Sequence, residues 1–140
     1  MAERQSRGRG KPGSVWHSPE GGLYFSVILK PRKNPQDLTP LTRLAAQAVV
    51  SVIKRQAGLS ARIKLPNDVL LNGKKICGIL TEKVGDAVIV GIGLNLNIPQ
   101  FPPELNVTSL FLESKRKCDA DKFLGDLLTE LKIEYINFLA

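Results

Sequence analysis

The sequence predicts an α+β fold: one mixed, largely antiparallel sheet with two long helices packed on it. Short β-type segments follow one another between residues 61 and 97, joined by tight turns at Asn72-Gly73 and Gly85-Asp86. Two stretches with apolar residues at helical spacing flank them, one after Thr39 and one after Asp119. Because hairpins join neighbouring strands, antiparallel pairing is favoured over a doubly wound α/β sheet.

Local patterns predict the first two elements. The run from Leu23 to Lys30 is β-branched and aromatic and is bounded by Gly-Gly and Pro31, which predicts a mostly buried strand. Thr39 is expected to cap the first helix, with Pro40 at its first position and Gly58 at its end.

The middle of the chain is predicted to form further strands. They are Arg62 to Leu65, Val69 to Leu71, Lys75 to about Val84, and Ala87 to about Asn97. Gly91 and Gly93 indicate a bulge or a close approach of the backbone to another group. Residues 98–113, with three prolines, are predicted to be irregular, and Asp119 is expected to cap the second helix.

Composition narrows the class of protein. A chain of 140 residues with 43% hydrophobic residues is expected to form a single domain. It has no apolar run long enough for a membrane span and no signal peptide, so we expect a cytoplasmic location without membrane contact. The net charge of +7 suits nucleic acid, an anionic substrate or an acidic partner. Free thiols at Cys77 and Cys118 are favoured over a disulfide.

Residues 8–16 combine glycines with cationic side chains. Backbone N–H groups of such a loop form an anion-binding concavity, to which Arg9 and Lys11 add charge. The alternative is a solvated basic tail. The glycine spacing also matches a dinucleotide fingerprint, but Pro12 interrupts it, and turn residues replace the helix that must follow.

A second candidate stretch is Lys64 to Asp68. A lysine at the end of a buried strand suits a phosphate or carboxylate, and Asp68 suits Mg²⁺. The alternative is a surface lysine followed by a turn. Gly78 and Gly93 lie in apolar strands where a backbone would approach a ligand, and the alternative there is plain core strands.

Together these stretches resemble the biotin protein ligase family, over almost the whole chain from about Glu3 to Leu139. The residues that carry the resemblance are Gly8 to Lys11, Trp16, Ser18-Pro19, Gly21 to Ser26, Lys64, Pro66 to Asp68, Gly78 to Leu80, Glu82, Gly91 to Asn97 and Thr108 to Leu110. The resemblance implies a fold like the catalytic domain of class II aminoacyl-tRNA synthetases. It also implies that biotin and ATP form biotinyl-5′-AMP, and that biotin then passes to a lysine of a carboxylase carrier domain.

The same resemblance implies roles for individual residues. Gln5 would hydrogen-bond biotin, while Arg9, Gly10 and Lys11 would wrap the biotin carboxylate and the phosphate. Lys64 would stabilise the charge that develops between them, so the catalytic residues would be Arg9 and Lys64. The candidate set is completed by supporting positions at Trp16, Asn67, Gly78, Gly93 and Asn95. It also includes Asp68 for Mg²⁺, which is suggested by its carboxylate and not by the resemblance.

The sequence also departs from the family pattern. Lys11 and Leu65 stand where arginine and tryptophan are usual. The family's N-terminal biotin-pocket segment and C-terminal β-barrel are expected to be absent, which leaves residues 1–140 as a single catalytic domain. The expected partner is a biotin carboxyl carrier domain, and a homodimer stays open. A lipoate or octanoate ligase and a non-catalytic binding module remain alternatives. Nucleic acid is not expected, because most aromatic residues lie in core-like segments.

Overall fold

A computed structural model of the chain describes the backbone of residues 8–9 and 15–16, and residues 18–139. The predictions for Gln5, Gly10 and Lys11 lie outside the described residues, as do those for the side chains of Arg9 and Trp16. The strands are β1 (Gly8–Arg9), β2 (Val15–Trp16), β3 (Leu23–Leu29), β4 (Arg62–Lys64), β5 (Asp68–Leu71), β6 (Lys74–Val84) and β7 (Ala87–Leu94). The helices are α1 (Thr39–Ala57), α2 (Leu110–Ser114) and α3 (Ala120–Leu139).

The predicted α+β class is confirmed by a five-stranded sheet in the order β3-β7-β6-β5-β4. Each pairing of neighbouring strands in it is antiparallel. The described residues show parallel pairing only at an isolated bridge between Lys75 and Val107. A separate antiparallel pair joins β1 to β2, with Gly8 opposite Trp16. Both strands of this pair therefore lie within residues 8–16, the glycine-rich segment that the sequence indicates as a candidate anion site.

The two faces of the sheet differ in what covers them. Alternate residues of β7 are buried in the core that α1 also enters, namely Val88, Val90, Ile92 and Leu94. Because side chains alternate along a strand, the residues between them point to the opposite face. We call that opposite face the glycine face. It carries Tyr24, Ser26, Lys64, Asp68, Gly78, Leu80, Gly91 and Gly93.

Helix α1 begins close to the predicted position, but the side chain that accepts a hydrogen bond at its start is Asp37 and not Thr39. The N-cap is Leu38, which has no side-chain capping bond. Instead the carboxylate of Asp37 accepts a hydrogen bond from the Thr39 N–H at 3.0 Å. Thr39 and Pro40 are therefore already helical, and the predicted cap was one residue late. Gly58 ends the helix in the left-handed conformation, as predicted.

Helix α2 corrects the prediction that residues 98–113 are irregular. Ser109 is its N-cap, and the Ser109 hydroxyl accepts a hydrogen bond from the Leu112 N–H at 3.1 Å. The sequence held this signal, since Ser109 precedes a short apolar run with Glu113 in the first turn. The prediction for Asp119 is confirmed by the bond from the Lys122 N–H to its carboxylate at 3.1 Å.

Three further predictions on the strands need correction. β3 is buried only in its first half, and Ile28 is 68% exposed. β4 lies at the edge of the sheet, so Lys64 belongs to an exposed strand and not to a buried one. The regular ladders around Gly91 and Gly93 contain no bulge, whereas a register shift lies between Val69 and Leu70.

The expectations on membrane spans and on the state of the cysteines can be checked for residues 18–139. None of the helices there is both long and apolar enough to cross a membrane. Both cysteines are free thiols, with Cys77 buried and Cys118 half-buried. Burial raises the pKa of each thiol above its ordinary value.

Candidate functional site

One row of residues crosses the whole sheet on the glycine face. Lys64 of β4 lies opposite Asp68 of β5, and Asp68 lies opposite Gly78 of β6. Gly78 lies opposite Gly93 of β7, which in turn lies opposite Tyr24 of β3. Four of the five residues were singled out from sequence as site residues. Strand register brings them together although they come from four different strands.

The centre of this row has no side chains. Gly78 and Gly93 lie opposite each other, and Gly91 lies on the same face one row further along β7. A β-carbon added to Gly91 would come 3.5 Å from the Leu80 carbonyl oxygen and 3.6 Å from the Ser26 hydroxyl, which are ordinary contact distances. Internal packing therefore does not require glycine at residue 91. A bare stretch of backbone on one sheet face suits close approach of a ligand.

Lys75 is a site residue that the sequence analysis missed. Its ammonium group lies 3.0 Å from the Asp68 carboxylate, and both side chains are partly exposed. Strict alternation from Gly78 would place Lys75 on the opposite face of β6. The shift between Val69 and Leu70 changes this, because two residues of β5 span three of β6 there. A β-bulge is hard to locate from sequence, so the lysine could not be assigned to this face.

Lys64 supplies a second cation at the end of the row. It is exposed on the edge strand and lies opposite Asp68 in the ladder. The turn that follows includes Asn67, whose backbone carbonyl accepts a hydrogen bond from the Ile79 N–H at 2.9 Å. Lys64, Asp68 and Lys75 therefore form a charged end of the row beside the glycines.

Tyr24 closes the other end of the row. Its side chain is buried, and its hydroxyl donates a hydrogen bond to the Pro19 carbonyl. Burial raises the pKa of Tyr24 to about 12, so the phenol stays neutral at physiological pH. The turn that it contacts is tight, because Gly21 has φ of +102° and a β-carbon there would meet the Asn97 carbonyl oxygen at 2.5 Å.

Asn95 lies at the end of β7 and is almost completely buried. Its side-chain amide donates to the Thr108 carbonyl at 3.0 Å, and its own N–H donates to the Ile76 carbonyl at 2.8 Å. The side-chain oxygens of Asn95 and Asn67 are buried and have no hydrogen-bond partner among the described residues. Such acceptors are costly unless a ligand or another group satisfies them. The structure thus gives Asn95 a structural bond and one unused acceptor.

The acidic groups do not form a set of metal ligands in the described part of the chain. No group of three or more His, Cys, Asp or Glu side chains lies together there. Asp68 offers a carboxylate, but its Oδ1 lies against the Lys75 ammonium. Asp68 is therefore not a complete metal site by itself, and a magnesium ion there would need further oxygen ligands such as the phosphate oxygens of a nucleotide.

The five-stranded antiparallel sheet, with α1 packed on it and α3 packed on α1, is an α+β fold shared with solved biotin protein ligases. The chain belongs to the biotin/lipoate A/B protein ligase family, whose model matches residues 1–98.

Individual relatives support the assignment. The chain is 42% identical to the bifunctional ligase/repressor BirA of Bacillus spizizenii over 99% of its own length and 46% of the relative's. It matches the biotin protein ligase of Aquifex aeolicus, solved with biotin and ATP, with a TM-score of 0.90 at 33% identity, covering 97% of this chain and 59% of that one.

The biotin protein ligase of Leishmania major, solved with biotinyl-5-AMP, matches with a TM-score of 0.79 at 26% identity. That match covers 92% of this chain and 60% of the other. The present chain thus spans about half the length of the curated relatives.

Proposed function

We propose that this chain carries the adenylating site of a biotin protein ligase, which makes biotinyl-5′-AMP from biotin and ATP and passes biotin to a lysine of a carboxyl carrier domain. The observation that carries the proposal is the row on the glycine face, where bare backbone at Gly78 and Gly93 adjoins Lys64, Asp68 and Lys75. It supports a site for a small anionic ligand.

The chemistry explains why cations adjoin the glycines. In the first step a biotin carboxylate oxygen bonds to the α-phosphorus of ATP, and the bond from that phosphorus to the bridging oxygen breaks to release pyrophosphate. Two anions must meet, so positioned cations lower the barrier by offsetting their charge. Among the described side chains, Lys64 in the row and Lys75 beside Asp68 supply such charge. In the second step the acceptor amine bonds to the biotinyl carbon and AMP leaves.

The other assignments stay part of the proposal. Gln5, Arg9, Gly10, Lys11 and Trp16 are predicted to complete the binding site. Residues of the row and its neighbours are assigned supporting contacts: Asn67, Gly78, Gly93 and Asn95. Magnesium bound through Asp68 with the ATP phosphates stays a prediction, in keeping with the ion's preference for one or two carboxylates plus phosphate oxygens. A carboxyl carrier domain as acceptor and a cytoplasmic location are likewise proposed.

Calorimetric titration of the purified chain with biotin, biotinyl-5′-AMP, lipoate and an oligonucleotide tests the proposal. Biotinyl-5′-AMP is expected to bind most tightly, because it presents both the acyl group and the phosphate to the cationic end of the row. Lipoate tighter than biotin would favour the lipoate alternative, and binding of the oligonucleotide alone would favour a binding module. Biotin-dependent exchange of pyrophosphate into ATP then measures the first chemical step.

A further inference from the structure

One carboxylate outside the row ties three parts of the fold together. Glu113 of α2 accepts a hydrogen bond from the Thr108 hydroxyl at 2.8 Å through Oε1. Through Oε2 it accepts another, from the side-chain amide of Asn72 at 2.7 Å. Asn72 lies in the turn between β5 and β6, and Thr108 lies just before α2. Glu113 therefore joins α2 to both the β5–β6 turn and the segment that precedes the helix.

Thr108 passes this link on to Lys75. It is 2% exposed, and its N–H donates to the Lys75 carbonyl at 2.9 Å. The Lys75 N–H in turn donates to the Asn106 carbonyl at 3.1 Å. The carbonyl of Thr108 accepts from the Asn95 side chain at 3.0 Å. Thus residues 106–108 hold the Lys75 backbone through both of its polar groups, and Glu113 holds residue 108 in place.

We propose that Glu113 is a positioning residue for Lys75, acting through Thr108 to keep the Lys75 ammonium beside Asp68 on the glycine face. The inference rests on the proposed function for its catalytic consequence, and on the hydrogen bonds above for its structural one. The β5–β6 ladder is irregular beside Lys75, which it pairs with Leu70, and the bonds to residues 106 and 108 attach the Lys75 backbone a second time. A shift of about 1 Å in a catalytic group is enough to lower a rate strongly.

Two matched pairs of variants isolate the hydrogen bond. Glu113→Met keeps the length of the side chain but removes both acceptor oxygens, while Glu104→Met makes the same change at an exposed position in the preceding loop. Thr108→Val removes the hydroxyl, while Thr108→Ser retains it. Pyrophosphate exchange is measured for each variant and divided by the concentration of chain that binds biotinyl-5′-AMP. This correction removes any loss of folded protein.

Glu113→Met and Thr108→Val are each expected to lower kcat roughly tenfold, with a smaller change in KM for biotin, because the lysine acts mainly in the transition state. Together they should cost no more than Glu113→Met alone, since Thr108→Val removes a bond that Glu113→Met already removes. Glu104→Met and Thr108→Ser should keep the wild-type kcat. Wild-type kcat in Glu113→Met, or additive losses in the double variant, would overturn the proposal.

Amide hydrogen exchange separates this inference from the proposed function. In Glu113→Met the Lys75 and Thr108 amides should exchange roughly tenfold faster, while the Val90 amide in the centre of the sheet keeps its protection. If the wild type catalyses no pyrophosphate exchange, the proposed function fails, and the amide rates still decide whether Glu113 holds Lys75. Unchanged exchange at Lys75 would show that Glu113 does not position it.

Discussion

Gly78 of β6 and Gly93 of β7 lie directly opposite each other at the centre of the sheet. The glycine face therefore has hydrogen atoms where two side chains would otherwise meet. The charged residues of the row lie to one side of this pair and Tyr24 to the other. The glycine pair thus separates the charged end of the row, at Lys64 and Asp68, from Tyr24 at the other end.

A side chain in place of a glycine of the row is expected to block ligand binding without unfolding the protein. Gly93→Val introduces a residue that favours strands but projects into the proposed site, so biotinyl-5′-AMP affinity should fall at least roughly tenfold. Calorimetry measures the affinity, and thermal melting checks the fold. Gly125→Ala is the control, because Gly125 is exposed on α3 and nothing lies within 4 Å of the added carbon. Undiminished affinity in Gly93→Val would remove the glycine row from the binding site.

Lys64 should matter for chemistry and not for stability. Its side chain is exposed on β4, so Lys64→Ala is expected to change the free energy of unfolding by less than about 0.5 kcal/mol. Adenylate formation should fall roughly 10²-fold, as on loss of one preorganised donor. Lys64→Arg should not fully rescue it, because the guanidinium is larger and planar.

Arg62→Ala is the matched control for Lys64. Arg62 is exposed on the same strand and the same face, two residues from Lys64. It should keep the wild-type rate of pyrophosphate exchange, because its partner in the ladder is Leu70 and not the charged end of the row. Equal rates in Lys64→Ala and the wild type would show that Lys64 is only a surface residue.

The raised pKa of Tyr24 predicts how the free energy of unfolding changes at alkaline pH. Burial raises its pKa from 10.0 to about 12, so between these values the folded chain keeps a proton that the unfolded chain releases. The stabilisation is fully present below about pH 10 and is lost as pH rises towards 12. Urea unfolding at several pH values between 9 and about 12 measures the slope.

In the Tyr24→Phe variant the free energy of unfolding should fall less steeply between pH 9 and about 12, because no phenol at residue 24 ionises. The variant should also be less stable at every pH, because the hydrogen bond to the Pro19 carbonyl is lost. If the free energy of unfolding of Tyr24→Phe falls as steeply as that of the wild type, ionisation of Tyr24 does not limit stability at high pH.

The two cysteines should react at very different rates. The thiolate is the reactive form, and burial raises the pKa of both thiols. Cys118 is half-buried and should react with Ellman's reagent more slowly than a free thiol, whereas buried Cys77 should react only after unfolding. Counting thiols in native and denatured protein tests this. Two rapid thiols in the native chain would contradict the burial of Cys77.

Sequence patterns predicted the elements more completely than the site. The turn at Asn72-Gly73, the helix end at Gly58 and the cap at Asp119 have local chemistry that can be read directly. Lys75 shows the limit of this approach. Its assignment to the glycine face depends on the register shift between β5 and β6, and strict alternation along β6 gives the wrong face.

Residues with polar side chains were harder to assign than glycines. Asn95 was predicted as a supporting site residue, yet one of its groups is used to hold the Thr108 carbonyl. The link from Glu113 to Thr108 spans only five residues, but its importance depends on the distant pairing of Thr108 with Lys75. Long-range pairing of this kind is set by tertiary structure and leaves no periodic trace in the sequence.

The two ends of the row differ in how firmly the sheet holds them. Tyr24 belongs to a ladder of seven residue pairs with β7, whereas Lys64 belongs to a ladder of three pairs with β5. Both strands lie at edges of the sheet, and a ladder of three pairs opens at lower free energy than a ladder of seven. A molecule lying along the row would therefore contact a firmly held strand at Tyr24 and a more easily displaced strand at Lys64. Small movements of β4 could then adjust the Lys64 ammonium to a ligand while the tyrosine end stays fixed.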